Sequence, residues 1–268
     1  MLKQKSTLPG NFILFGGVLN HAYLELTMNW LCNIYGLPII KKIGKNNKKR
    51  QINLNEGNIQ LLNVTLFVGL DSGKICTQIN KSWPQESIPF VLAESDAIWL
   101  RNPFDKLFPN LNSLDDVDLV LPLNSQTSIK GQRFAFDPMV AFATNATRLA
   151  LKRMNRILNG DLKDNSSNLM DQDLLNQLCS SQYSGLVCRD FDSSDIADGA
   201  WFKLSETERL RAAKKVGHFP YIVNNNFYVG VHNKMARQAI NGLWFLTAKQ
   251  KMCSLSKARR VLKKYEKV

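Results

Sequence analysis

The chain has 268 residues, 44% of them hydrophobic, and this composition predicts a globular protein with a packed core rather than a disordered one. Its 35 Lys and Arg residues against 22 Asp and Glu residues give a formal net charge of +13, which favours polyanionic partners such as nucleic acids, anionic membranes or phosphorylated small molecules. The excess lies mainly in residues 41–50 and 249–267, where aromatic side chains are not interleaved with the cations, as stacking on bases would require. Nucleic acid is therefore not expected as a partner.

Strands and helices alternate through the first half of the chain. An apolar segment at 11–17 predicts a first strand ending in Gly16 and Gly17, and residues 23–35, with apolar side chains at helical spacing, predict a helix. Further elements are predicted as strands at 64–71, 89–93, 118–122 and 139–143 and as a helix at 146–158. Such alternation is typical of an α/β domain with a mostly parallel, Rossmann-like sheet, helices on both faces, and ligands at the carboxyl ends of the strands.

The second half of the chain continues as one domain. A helix is predicted from Leu169, with acidic residues in its first turn, where they suit the helix dipole. A turn-rich segment at 190–202 and the run Asn224–Asn226 precede a basic terminal helix. Because no internal repeat or low-complexity linker divides the chain, we predict a single domain at 11–246, followed by a basic C-terminal helix or tail at 247–268.

Two acidic residues follow the predicted strand at 89–93. Side chains two apart in an extended segment point the same way, so Glu94 and Asp96 could present their oxygens to one hard divalent cation, which in turn could neutralise a diphosphate. The alternative is a pair of solvated turn acids, which is common at strand ends. Apolar residues on both sides of the pair, Trp99 among them, argue against a surface loop.

The cysteines and the apolar segments bear on the compartment of the protein. The five cysteines show no CxxC or CxH spacing, so a structural zinc site is not expected, and their odd number leaves at least one unpaired. Four N-x-S/T sequons permit a secretory location without requiring it: Asn63, Asn80, Asn145 and Asn165.

The apolar stretch at 12–19 is too short to span a bilayer, which takes about 20 residues, and no signal peptide is evident. A membrane is therefore expected as a partner only through an anchor that this sequence does not show.

Several short motifs follow one another in a set order along the chain. The most specific of them are the acid pair running into Trp99-Leu100-Arg101, the pair Asp171-Gln172, and the closing Gly242-Leu243-Trp244. The others are Asn29-Trp30, Leu70-Asp71 and the segment from Ala197 to Phe202. In this order the motifs resemble the nucleotide-diphospho-sugar transferase family, the GT-A type group that includes plant xylosyl- and arabinosyltransferases. The resemblance extends over almost the whole chain, from Asn11 to Leu246.

This resemblance implies a glycosyltransferase with a single GT-A domain. It implies a nucleotide-sugar donor, with UDP as the expected nucleotide, a glycan or glycoprotein acceptor, Mn²⁺ or Mg²⁺ as cofactor, and retention at the anomeric carbon. It also favours the Golgi or another secretory-pathway lumen. Retention could follow a front-face route or a double displacement, and the second would need a carboxylate beside the anomeric carbon, for which Asp171 is the candidate.

The resemblance also implies roles for individual residues. Asp171 and Gln172 match residues at the sugar or acceptor site and are the predicted catalytic residues. The predicted metal ligands are Glu94, Asp96 and Asn224. The residues predicted to bind the donor are Phe15, Gly16, Asp71, Glu94, Ser95, Asp96, Gly230 and Lys234, of which the last two match a glycine and a lysine that approach the diphosphate.

Two positions depart from the family pattern. Glu94 stands where the family commonly has Asp, and its extra methylene changes the reach of the carboxylate. Asn224 stands where the family often has His, a plausible third metal ligand; its amide oxygen is a neutral and weaker ligand for a hard cation. The asparagine run could instead be a strand-end loop satisfied by its own backbone. A catalytically impaired relative that binds a nucleotide sugar or a glycan is accordingly the alternative function.

Overall fold

The structure is a computed structural model, and it describes residues 12–17, 23–37, 58–61, 64–69, 89–111, 114–124, 133–158, 170–226, 229–249 and 251–268. The backbone alone is described for 12–17, 58–61 and 64–69. Asp71, predicted to bind the donor, lies outside the described residues.

Within the described ranges, seven strands form the main sheet: β1 (Phe12–Gly17), β2 (Asn58–Leu61), β3 (Val64–Gly69), β4 (Phe90–Glu94), β6 (Leu119–Leu121), β7 (Met139–Ala141) and β8 (Cys188–Asp190). Strand β5 (Ile98–Trp99) belongs to a second sheet. The order of strands across the main sheet is β2-β3-β1-β4-β7-β6-β8. The pairs β3-β1, β1-β4 and β6-β8 are parallel, as the sequence predicts. The pairs β2-β3, β4-β7 and β6-β7 are antiparallel, so the alternation of elements did not predict every strand direction.

A second, three-stranded sheet lies next to the end of β4. It consists of β5 (Ile98–Trp99), β9 (Ile196–Ala197) and β10 (Ile222–Val223), with β10 in the middle. All six residues are apolar, and five are buried while Ala197 is partly exposed, which is why such short strands hold together. This sheet joins the segment after Glu94 to the segment before Asn224.

Helices cover the strands and fill the core. They are α1 (Leu24–Gly36), α2 (Leu107–Leu111), α3 (Asn145–Leu158), α4 (Asp171–Ser180), α5 (Glu206–Val216), α6 (Val231–Ile240) and α7 (Leu255–Leu262). Most of them follow from apolar residues at helical spacing, and α5 also carries a capping box between Ser205 and Glu208 and ends at Gly217 in the left-handed conformation. The predicted α/β class is confirmed.

The C-terminal segment packs on the N-terminal helix. Ala258 and Leu262 of α7 are fully buried, and Gly36 of α1 lies so close to Ala258 that a side chain at position 36 would collide with it. A disulfide bond links Cys32 in α1 to Cys253 just before α7. The domain boundary predicted at residue 246 stays a prediction, while the helix after it belongs to the same hydrophobic core as α1.

Candidate active site

The predicted acid pair lies at the end of β4, next to the end of β1. Glu94 is the last residue of β4 and pairs with Gly17 of β1, and a tight turn closed by the Ala97 amide on the Glu94 carbonyl follows it. Asp96 and Ser95 are each 3% exposed, whereas the Glu94 side chain remains exposed. The backbone of Gly16, one residue earlier in β1, pairs with Ala93.

A third acid, Asp137, joins this pair, and the sequence did not predict it. Since β7 runs antiparallel to β4 and Met139 pairs with Leu92, the residue two before Met139 comes beside the residue two after Leu92. Asp137 Oδ1 accepts a hydrogen bond of 2.7 Å from the backbone N–H of Glu94. One carboxylate oxygen each from Glu94, Asp96 and Asp137 lies within 4.8 Å of the others. We call these three residues the acid cluster.

The asparagine run reaches the acid cluster through the second sheet. Val223 of β10 pairs antiparallel with Ile98 of β5, which brings the residues after Val223 beside Asp96. The Asn224 side-chain amide donates to the Asp137 carbonyl, and that of Asn225 donates to the Lys234 carbonyl over 3.1 Å. Both Oδ1 atoms are buried and accept no hydrogen bond from any described residue. A buried acceptor without a donor is costly, so these oxygens are available to a cation, an ordered water molecule or a hydrogen-bond donor of a ligand.

Helix α6 supplies the positive charge of the site. Lys234, in its first turn, forms an ion pair through Nζ with Asp96 Oδ2, and the side chains of the two residues are 14% and 4% exposed. The Nζ atom also lies 5.7 Å from the centroid of the Tyr23 ring. One turn further along, Gln238 Nε2 donates to the Asp96 carbonyl over 2.7 Å. Gly230, at the N-terminus of α6, has a φ of 97°, a conformation that favours glycine.

The acid cluster and the asparagine run line one polar cleft with a cavity volume of about 60 Å³. Its lining residues are Glu94, Asp96, Ala135, Phe136, Asp137, Gln172, Asn224, Asn225 and Asn226. Gln172 reaches it from the first turn of α4. Asp171 is exposed beside it and is near enough for its charge to raise the pKa of Glu94.

Burial and mutual repulsion shift the pKa values of the acid cluster upward. Burial of the carboxylate first, and then the charges of Asp96 and Asp171, raise the pKa of Glu94 to about 7, although Lys234 pulls it down. The Glu94 side chain as a whole is exposed along the cleft, but one oxygen of its carboxylate lies within 4.8 Å of the oxygens of Asp96 and Asp137. Burial also raises the pKa of Asp96, and it raises that of Asp137 well above the usual range.

The free energy of unfolding of the metal-free protein is expected to fall as the pH rises from about 4.5 to about 7. In this window the folded protein keeps a proton on Glu94 that the unfolded chain has already lost, so the folded state binds more protons and a rise in pH favours unfolding. The groups that face Glu94 and set this window are Asp96, Asp137, Asp171 and Lys234. Urea unfolding in EDTA at several pH values measures the slope.

The control for this measurement is Glu94→Gln, which removes the titrating group and keeps the size of the side chain. Its slope between pH 4.5 and 7 should be flatter than that of the wild type. An unchanged slope would show that other groups cause the pH dependence.

The structure thus brings together most of the residues that the sequence predicts for the site. Glu94, Asp96, Asn224 and Gln172 line the cleft, and Lys234 contacts Asp96. Ser95 is buried and absent from the cleft lining, and Gly230 lies at the start of α6. For Phe15 and Gly16 the structure describes the backbone at the neighbouring end of β1. The roles assigned to these residues stay predictions.

Buried amides position the acid cluster, and two of them explain family motifs. Asn29 of α1 donates to Gln238 Oε1 over 3.0 Å and to the Leu243 carbonyl over 3.1 Å. Asn33, one turn later, donates to the Trp99 carbonyl over 2.8 Å and accepts from its N–H over 2.7 Å. The matching motifs at the two ends of the chain therefore meet in the core behind Asp96. No local signal in the sequence predicts these contacts.

The segment Asp198-Gly199 supports the asparagine run. The Gly199 N–H donates to Asn226 Oδ1 over 2.6 Å, and a Cβ at position 199 would collide with the Asn226 carbonyl oxygen. Glycine is required here by close approach. A substitution would push the asparagine run, and Asn225 with it, out of place.

Two solved glycosyltransferase structures share the fold of this chain. GlyE from Streptococcus pneumoniae TIGR4 aligns with a TM-score of 0.53 and 11% identity, over 95% of this chain and 63% of GlyE. A glycosyltransferase involved in the glycosylation of the major capsid of PBCV-1 aligns with a TM-score of 0.51 and 8% identity, over 85% of this chain and 99% of that one. This chain thus spans about 63% of the length of GlyE. No curated protein sequence matches it. The fold is that of a GT-A type glycosyltransferase.

A sequence model of the nucleotide-diphospho-sugar transferase family matches residues 49–238, which is more than half of the chain. The chain belongs to this family, and the resemblance stated from its motifs is confirmed. Membership of this family favours the prediction that the protein is a transferase.

Proposed function

We propose that this protein is a metal-dependent, retaining glycosyltransferase that moves a sugar from a UDP-linked donor to a glycan or glycoprotein acceptor. The observation that supports it is the acid cluster, with two unpartnered amide oxygens beside it and Lys234 in contact with it, at the strand edge where ligands collect in α/β folds.

The donor atoms around the cluster fit a hard divalent cation. Glu94, Asp96 and Asp137 offer carboxylate oxygens, and Asn224 and Asn225 offer buried amide oxygens. No His or Cys side chain of the described residues joins the three acids as a possible metal ligand. His218 lies 3.6 Å from Asp195 instead. An all-oxygen set suits Mg²⁺ or Mn²⁺ better than zinc. Asp137 thereby provides the third charged ligand that Asn224 cannot.

The mechanism follows from where charge develops. A leaving nucleoside diphosphate gains negative charge, and a divalent cation in the cluster would stabilise that charge. Lys234 adds a second positive charge, and the start of α6 at Gly230 adds backbone N–H groups that suit a phosphate. Gln172 and Asp171, at the start of α4, would orient the sugar and the acceptor.

Retention is assigned to a front-face route in this proposal. The acceptor hydroxyl forms its bond to the anomeric carbon on the side from which the diphosphate leaves, and its proton passes to the leaving phosphate oxygen. This route needs no protein nucleophile. In this proposal the carboxylates of Glu94, Asp96 and Asp137 hold the metal ion, so none of them serves as the nucleophile. Asp171 is the carboxylate left for a double displacement.

The proposal is tested by a thermal-shift screen of nucleotide sugars with and without Mn²⁺. Ligand at about 100 times its Kd should stabilise the folded protein by about 2.7 kcal/mol, and UDP-sugars should do so only in the presence of the ion. If neither UDP nor any UDP-sugar shifts the melting temperature with Mn²⁺, the proposal fails. Binding of UDP without hydrolysis or transfer would instead support the catalytically impaired relative.

We also propose that the protein works in the Golgi or another secretory-pathway lumen. Two disulfide bonds among the described residues, Cys32–Cys253 and Cys179–Cys188, favour an oxidising compartment. The sequon residue Asn145, at the start of α3, is exposed. None of the helices in the described ranges has the length and apolar character needed to cross a membrane.

A further inference from the structure

Lys234 and the proposed metal ion would use the same carboxylate, that of Asp96. The Lys234 ammonium contacts Asp96 Oδ2, and Asp96 belongs to the acid cluster, whose oxygens lie within 4.8 Å of one another. A divalent ion shared by the three carboxylates would therefore lie within a few ångströms of the ammonium. Two cations at that spacing in a buried site repel strongly. The ion pair and the bound metal are thus competing states of the same carboxylate.

The site without metal also needs a positive charge. Asp96 is 3% exposed, with two other acids beside it, and a buried carboxylate without a partner is unfavourable. Lys234 provides that partner through its ion pair with Asp96 Oδ2, and its own side chain is only 14% exposed.

The lysine side chain is suited to move between two partners. It is a point charge on a flexible stem, and its Cα is fixed in the first turn of α6, whose N-terminus suits phosphate oxygens. The centroid of the Tyr23 ring lies 5.7 Å from Nζ, so a cation–π contact can stabilise the ammonium while it moves. Asp96 does not depend on Lys234 for its position, because Gln238 holds its carbonyl.

We propose that Lys234 is an internal counter-ion that occupies Asp96 until the metal ion binds, and is then displaced onto the donor diphosphate. This inference rests on the proposed metal-dependent function and adds a regulation to it. Metal binding frees the ammonium that the diphosphate requires, and the diphosphate holds that ammonium away from the metal site. Metal and nucleotide therefore bind with positive coupling, which is equal in both directions.

The test compares Mn²⁺ binding to the wild type, Lys234→Met, Lys234→Arg and Lys214→Met, with and without UDP. Mn²⁺ is measured at pH 8 by its electron paramagnetic resonance signal, and folding of each variant by its melting temperature. Lys214 is an exposed lysine of α5, so Lys214→Met controls for the loss of one positive charge. Without UDP, Lys234→Met should bind Mn²⁺ on the order of tenfold more tightly than the wild type. UDP should raise Mn²⁺ affinity much less in this variant.

Lys234→Arg keeps the charge and should retain weak Mn²⁺ binding without UDP, as should Lys214→Met. If Lys234→Met binds Mn²⁺ with wild-type or lower affinity, or if UDP enhances its Mn²⁺ binding as much as in the wild type, the counter-ion role is wrong. A crystal structure with Mn²⁺ and UDP in which Nζ still contacts Asp96 would also overturn it. Failure of the wild type to bind Mn²⁺ even with UDP would instead overturn the proposed function, whatever Lys234→Met does.

Discussion

Asp96→Asn is expected to lower the rate of sugar transfer by about 10²–10³-fold, the usual cost of removing one group that stabilises transition-state charge. The substitution keeps the shape of the side chain and the Gln238 contact to the backbone carbonyl, but removes the negative charge at the centre of the acid cluster. The loss should appear in kcat/KM for a UDP-sugar. Excess Mn²⁺ should restore part of it, because the remaining carboxylates of Glu94 and Asp137 still bind the ion weakly.

The matched control for Asp96→Asn is Asp116→Asn. Asp116 forms a surface ion pair with Arg189 and its side chain is 65% exposed, so this variant should transfer sugar at the wild-type rate. Suppose that EDTA abolishes sugar transfer by the wild type but Asp96→Asn transfers sugar at the wild-type rate. Asp96 is then not a ligand of the metal ion.

Cys253→Ser is expected to lower the free energy of unfolding by about 5 kcal/mol, because the bond to Cys32 closes a very long loop in the unfolded chain. The two cysteines are 221 residues apart, and the bond ties α1 to the segment before α7. Position 253 is exposed, so Ser adds no buried polar group there. Chemical denaturation under non-reducing conditions measures the difference from the wild type.

Cys188→Ser serves as the comparison for this effect. Its bond to Cys179 spans only 9 residues, so its loss should cost about 2.5 kcal/mol in the same model of the unfolded chain. Equal losses in the two variants would show that restriction of the unfolded chain does not account for the effect of the Cys32–Cys253 bond.

Local sequence patterns predicted several strands and helices, mainly in the first half of the chain, within about two residues of their observed ends. The helix predicted at residues 23–35 is α1 (Leu24–Gly36), and the helix predicted at 146–158 is α3 (Asn145–Leu158). Both could be predicted because the apolar residues of each helix recur at helical spacing. The direction of β7 was not predictable in this way. A three-residue strand buried on both faces carries the same apolar pattern whether it runs parallel or antiparallel.

The same limit applies to the acid cluster. Glu94 and Asp96 lie two residues apart at a strand end, so the closeness of their carboxylates could be predicted, but a turn rather than the expected extended segment brings them together. Asp137 lies 43 residues from Glu94, and it reaches the cluster because β7 reverses direction beside β4. Lys234 lies 138 residues from Asp96, and only the family motif pointed to it. Contacts over such separations depend on the pairing of strands and the packing of α6, which no short pattern encodes.

Lys234 and Gln238 are four residues apart and so project from the same side of α6, where each contacts a different part of Asp96. The first sets the electrostatic potential at the carboxylate, while the second sets the location of its main chain. The two properties can therefore be altered separately by protein engineering. Substitutions at position 234 could therefore change which metal ion the site prefers, while Gln238 keeps the backbone of Asp96 in place.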